Sequence, residues 1–139
     1  MTAKELVLGQ LNSTGKQLAE VFTNLPDSAA DVKISSASMT PREIAGHLCE
    51  CYIAFDAASQ GKQHEWGSFV APDLPMNQLV SHLMDLRNKA VQIVTDSDQD
   101  THLGEAMDYV SNHDSYHIGQ LVLARIQADP GWDPYSLYQ

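Results

Sequence analysis

Hydrophobic residues recur at three- and four-residue steps in four separate stretches of the chain, and no stretch alternates with a period of two. Each stretch therefore predicts an amphipathic helix rather than a strand. In the first, Val7, Leu11, Leu18, Val21 and Phe22 fall on one face. Thr2 and Glu5 have the T-x-x-E spacing in which two side chains reciprocally satisfy first-turn amides, so the helix is expected to begin at Thr2. Gly15 is a weak point in its middle, and Pro26 lies beyond its end.

Thr40 as cap, Pro41 at the first helical position and Glu43 at the third mark the next start. There Ile44, His47, Leu48, Cys51, Phe55 and Ala58 share a face, and Gly61 suits the end. The third pattern comprises Met76, Leu79, Val80, Leu83, Leu86, Ala90, Ile93 and Val94, and the acidic run TDSDQD closes it as a solvated loop. From about Leu103 the fourth runs through Ala106, Met107, Val110, His113, His117, Leu121 and Ala124, until Pro130 and Gly131. Between them, the segment from Leu25 to Met39 reads as a long crossover. KQHEWGSFVAPDLP reads as a loop whose Trp66 and Phe69 pack over the domain. The tail GWDPYSLYQ brings Trp132, Tyr135 and Tyr138 to cover the bundle end or a partner subunit, packing being the preferred role.

Four such stripes can cover one another, which predicts an all-α, antiparallel four-helix bundle with a long first connection, forming a single domain over residues 1–139. At 15.3 kDa the chain can enclose one core. A formal charge of -10 repels phosphate backbones and anionic lipid headgroups, so nucleic-acid and membrane partners are not expected. No apolar run approaches the roughly 20 residues needed to cross a bilayer. MTAKELVLGQ lacks the features of a signal peptide, and a cytoplasmic location is expected. Cys49 and Cys51 diverge by about 200° on a helix, so they are expected to remain reduced.

The chemistry concentrates on the histidines. An imidazole on an apolar stripe needs a partner for its polar nitrogens, and here there are three: His47 in the second helix, His113 and His117 in the fourth. Residues i and i+4 have Cβ atoms about 6 Å apart, close enough for both rings to reach one ion, and a third ring from a facing helix completes a triangle. Three neutral imidazoles suit one divalent metal ion per chain, zinc or nickel first and iron next, with coordination positions left open for water or substrate. His64, His82 and His102 are expected at the solvated surface. Glu50 and Cys51 lie one turn after His47; Cys51 aligns better with the inward stripe, and buried filler is its preferred reading.

Two other metal chemistries fit poorly. A di-iron carboxylate bundle needs Glu-x-x-His pairs, which the chain lacks. His113–His117 reads H-D-x-x-H, but Asp114 is a shorter base than the Glu of zinc proteases. Asp114 and Tyr116 are the only guesses for a general base near the site. Arg87 and Arg125 could meet a cofactor carboxylate, although solvent exposure is the default for arginine.

The phrase TPREIAGHL, followed far downstream by HDSYHIGQL, resembles the DinB/YfiT-like family of metal-binding four-helix bundles. The resemblance spans nearly the whole chain, helix order and long first connection included. It implies metal ligation by His47, His113 and His117, a homodimer, and a small-molecule substrate. Characterised members include thiol-dependent transferases and isomerases that use a low-molecular-weight thiol such as glutathione, mycothiol or bacillithiol. The corresponding expectation is a metal-dependent thiol S-transferase or isomerase, the alternative a non-catalytic metal-binding or stress-response bundle. Gly119 and Gln120 fit the same phrase: glycine would admit a close neighbour, and Gln120 could orient a ligand or bridge helices.

Overall fold

The computed structural model describes residues 1–139 and is all-helical. The first helix is Ala3–Phe22, the second Pro41–Ser59 and the third Met76–Asp96. The fourth is a continuous helical run over residues 100–128, in which a π-helical stretch, Met107–Asn112, separates the α-helical parts Asp100–Ala106 and His113–Ala128. Short 3-10 turns at Asp27–Ala29 and Pro134–Tyr138 complete the inventory. No helix is long and apolar enough to cross a membrane.

Both helix starts anticipated from capping residues are present. Glu5 N donates to Thr2 Oγ1 at 3.1 Å while Thr2 N donates to Glu5 Oε2 at 2.7 Å, a complete capping box. Glu43 N donates to Thr40 Oγ1 at 3.1 Å, with Pro41 at the position where its missing N–H costs nothing. The fourth helix begins earlier than its apolar stripe implies, at Asp100, because Ser97 organises the preceding turn. Ser97 Oγ accepts from Gln99 N at 3.1 Å and lies 2.6 Å from His102 Nδ1, and Lys4 Nζ donates to the Ser97 carbonyl at 2.8 Å. His102 is thus half-buried and engaged rather than solvated.

The stripes meet in one core. Leu11, Leu18 and Val21 pack with Ile44, Leu48 and Phe55, with Leu79, Leu83 and Val94, and with Val110 and Leu121. The second and third helices lie side by side, and the first lies against the last. Phe69 packs on this core as expected, but Trp66 is 51% exposed; its ring stacks on Tyr109 of the π stretch, centroids 6.4 Å apart and planes 11° apart. In the tail, Trp132 sits against the Arg125 guanidinium at 4.9 Å and Leu137 packs on the core, whereas Tyr135 and Tyr138 remain exposed.

The two arginines depart most from expectation. Arg87 and Arg125 are each only 3% exposed. Arg125 Nη1 donates to the carbonyls of Val21, at 2.9 Å, and Thr23, so it satisfies orphan acceptors at the end of the first helix. Arg87 Nη2 donates to the Leu11 carbonyl at 2.6 Å and to Thr14 Oγ1 at 2.9 Å, and its Nε to Asp114 Oδ2 at 2.9 Å. Tyr52 OH donates to Asp114 Oδ1 at 2.5 Å. One side chain or carbonyl from every long helix enters this polar knot. Gly15 makes it possible, because a methyl group there would overlap the Arg87 guanidinium. The glycine that weakens the first helix locally is what lets the third approach it.

Candidate metal centre

His47 and Cys51 stand one turn apart on the second helix, facing His113 and His117 one turn apart on the fourth. The ring centroids are 5.0 Å apart for His47 and His117, 5.9 Å for His47 and His113, and 6.4 Å for His113 and His117. All three expected histidines are therefore brought together. The tightest set of donor atoms, however, is that of His47, Cys51 and His113, which lie within 4.8 Å of one another. Cys51 Sγ is 3.6 Å from His47 Nε2. His117 borders this set, and Cys51, read from sequence as filler, belongs to it.

Two of the rings are oriented from behind. His113 Nδ1 lies 2.7 Å from the Asp108 carbonyl, five residues earlier, and His117 Nδ1 lies 2.7 Å from Gln120 Oε1. Each acceptor requires the proton on Nδ1 and leaves the Nε2 lone pair for a cation, the usual outer support of a metal-bound histidine. Asp108 belongs to the π stretch, a local unwinding often found at functional sites. Gln120 thus holds the His117 ring, while Gly119 has no neighbour within 4 Å, so no other element makes the close approach expected there.

Burial pushes the pKa of His47 and His117 below the ordinary imidazole value, with further repulsion from the neighbouring rings; the Gln120 contact opposes the shift at His117. Burial thus favours the neutral form of both rings, the form that offers a lone pair to a cation. Burial also pushes the thiols of Cys51 and Cys49 up to about 12. Three imidazoles and a buried sulfur are donors that zinc and other borderline divalent ions accept. Bonds of about 2.0–2.3 Å would place tetrahedral donors about 3.5 Å apart, so modest closure of the cluster accommodates an ion.

The remaining candidates lie elsewhere. Asp114 is 0% exposed, and both its oxygens are taken by Tyr52 and Arg87; burial pushes its carboxyl up against their pull. It is a structural anchor between the two histidines, with neither oxygen free to serve as a general base at the site. Tyr116 is exposed and presents its ring edge-on to His117 at 4.9 Å. Glu50 turns away from the cluster: its Oε1 lies 2.9 Å from His64 Nε2 and accepts from Gly67 N at 2.7 Å. That contact lowers the Glu50 pKa, chiefly through the His64 bond. His64, expected at the surface, has a side chain only 11% exposed. His82 lies inside the third helix, half-buried and outside the cluster.

Access to His47 is through a cavity of about 390 Å³ lined by Arg42, Gly46, Glu50, Phe69 and Ala71 among others. Glu50 holds the 62–75 loop down on one side of it. Arg42 holds it on the other, donating from Nη1 to the Leu74 carbonyl at 2.8 Å and from Nε to Asp31 at 2.9 Å. A larger cavity, about 560 Å³ between the fourth helix and the tail, is lined by none of the three histidines. Comparison of the chain with protein-family models, with curated proteins and with solved structures gave no match.

Sequence reasoning missed Tyr52, although it lies four residues after inward-facing Leu48 and three before Phe55. The π stretch carries no such signal.

Proposed function

We propose that the chain is an antiparallel, DinB/YfiT-like bundle that binds one divalent ion through His47, His113 and His117 and acts as a small-molecule enzyme of the thiol S-transferase or isomerase type. The observation that carries the reading is the convergence of three imidazoles from two helices, two of them with Nδ1 committed to Asp108 and Gln120. Zinc, nickel or iron, when bound, supplies Lewis acidity that lowers the pKa of a thiol or water beside it. Gln120 and the Asp108 carbonyl hold ring orientation. Phe69 and Ala71 give the cavity an apolar wall, and Arg42, already paired with Asp31, shares its rim with Glu43 and Glu50. Those features suit a small, partly apolar substrate or thiol.

A second reading is supported by Cys51: a fourth protein donor makes the site more closed, as in a non-catalytic metal-binding or stress-response protein. Two free buried thiols suit the reducing cytoplasm, where we place the protein. The homodimer that the resemblance implies would pair through exposed Leu123 and Ile126 of the fourth helix.

Metal analysis of untagged protein is expected to give about one divalent ion per chain, and His113→Ala to remove it. Unchanged stoichiometry in that variant would overturn the ligand assignment. Saturable binding of a low-molecular-weight thiol with turnover of a model electrophile supports the enzyme; metal binding without either, across a broad panel, supports the second reading.

A further inference from the structure

We infer that Cys51 is itself a ligand of this centre, so that the chain supplies three imidazole nitrogens and one thiolate sulfur, and that the site takes a thiophilic divalent cation. The inference rests on reading the histidines as a metal centre and adds a residue that the histidine phrases do not contain.

The two cysteines provide an internal comparison. Both are fully buried, yet only Cys51 repeats the position of His47 one helical turn on. Its sulfur lies 3.6 Å from His47 Nε2 and within 4.8 Å of the His113 donor atom. Cys49, two residues away, points about 200° around the helix and belongs to no donor set. Filler is the weaker account of Cys51, because its sulfur, at the edge of the apolar core, also meets a polar ring nitrogen. Alanine or valine at position 51 would leave that half-buried ring without this partner.

On binding, the Cys51 S–H bond breaks and a sulfur–metal bond forms; the proton passes to solvent, and no electrons are transferred. A thiolate beside imidazoles favours zinc or cobalt over magnesium, calcium and manganese, which prefer oxygen donors. An exogenous thiol would then join an ion that already carries one sulfur, as a fifth ligand or by displacing Cys51.

Cobalt(II) titrated into the full chain in thiol-free buffer tests the assignment. The expected result is an intense near-ultraviolet sulfur-to-cobalt absorption together with weaker visible bands. That absorption should persist in Cys49→Ser and vanish in Cys51→Ser, which retains visible bands from the histidines. Because the chain has two cysteines, wild type and Cys49→Ser decide the question even if Cys51→Ser does not fold. Cobalt binding with visible bands but no sulfur absorption overturns the role of Cys51 and leaves the histidine centre standing. Absorption that is lost in Cys49→Ser overturns it equally. Failure of cobalt and of zinc to bind overturns both.

Discussion

Arg87 and Asp114 form a buried ion pair, Nε to Oδ2 2.9 Å, at the point where all four long helices meet. Its carboxylate lies between the two fourth-helix histidines in sequence, and its other oxygen receives the hydroxyl of Tyr52, next to Cys51. The pair therefore ties the histidine-bearing turns of the second and fourth helices to one buried point. Replacing Arg87 by Met leaves Asp114 buried without its counter-charge. The expected cost is about 3–5 kcal/mol, and Tyr52→Phe should cost about 1–3 kcal/mol. Urea unfolding measures both; an Arg87→Met protein as stable as wild type would show that the pair contributes nothing net.

Gly15→Ala sets two effects against each other. Alanine improves helix propensity by about 1 kcal/mol, but its methyl group overlaps the Arg87 guanidinium, and overpacking of this kind costs about 1–3 kcal/mol. Net destabilisation is expected. In an Arg87→Met background, where the longer fork is gone, the same substitution should become neutral or stabilising, so a double-mutant unfolding cycle identifies the contact.

Gln120→Ala removes the acceptor behind His117 without touching the core. Metal affinity is expected to fall about 10- to 100-fold with little change in unfolding midpoint of the metal-free protein. Equal affinity by competition with a chromophoric chelator would show that Gln120 does not orient the ring.

The Glu50–His64 contact makes a pH-dependent contribution. The Glu50 carboxyl has a folded pKa below its ordinary value of 4.5, so its stabilisation is present above that value and is lost as pH falls through the lower, folded pKa. Glu50→Gln should cost about 1 kcal/mol at pH 7, and the gap to wild type should close in strong acid. A gap that stays constant down to pH 3 would assign the cost to packing.

The histidine cluster was legible because three polar rings interrupted otherwise apolar stripes at matching helical phase. Arg87, Arg125 and Asp114 were not, because a charged residue inside a helix has the same local pattern whether it faces water or a partner from another helix. His64 and Glu50 stand fourteen positions apart, and no short-range periodicity relates a loop residue to a helix residue at that distance. Helical phase alone puts Cys51 on the inward face, but phase does not report which atom its sulfur meets.

By itself, the order of residues determined where the first two helices start, which faces the helices bury and that three imidazoles lie on two of those faces, since capping and periodicity are local properties of the chain. Only the tertiary structure decided that Arg87 and Asp114 share the interior, that Glu50 serves the loop rather than the centre, and that Cys51 joins the donor set. Those outcomes depend on which helix stands opposite which, and desolvated charges and polar atoms settle on the partners that packing brings within reach.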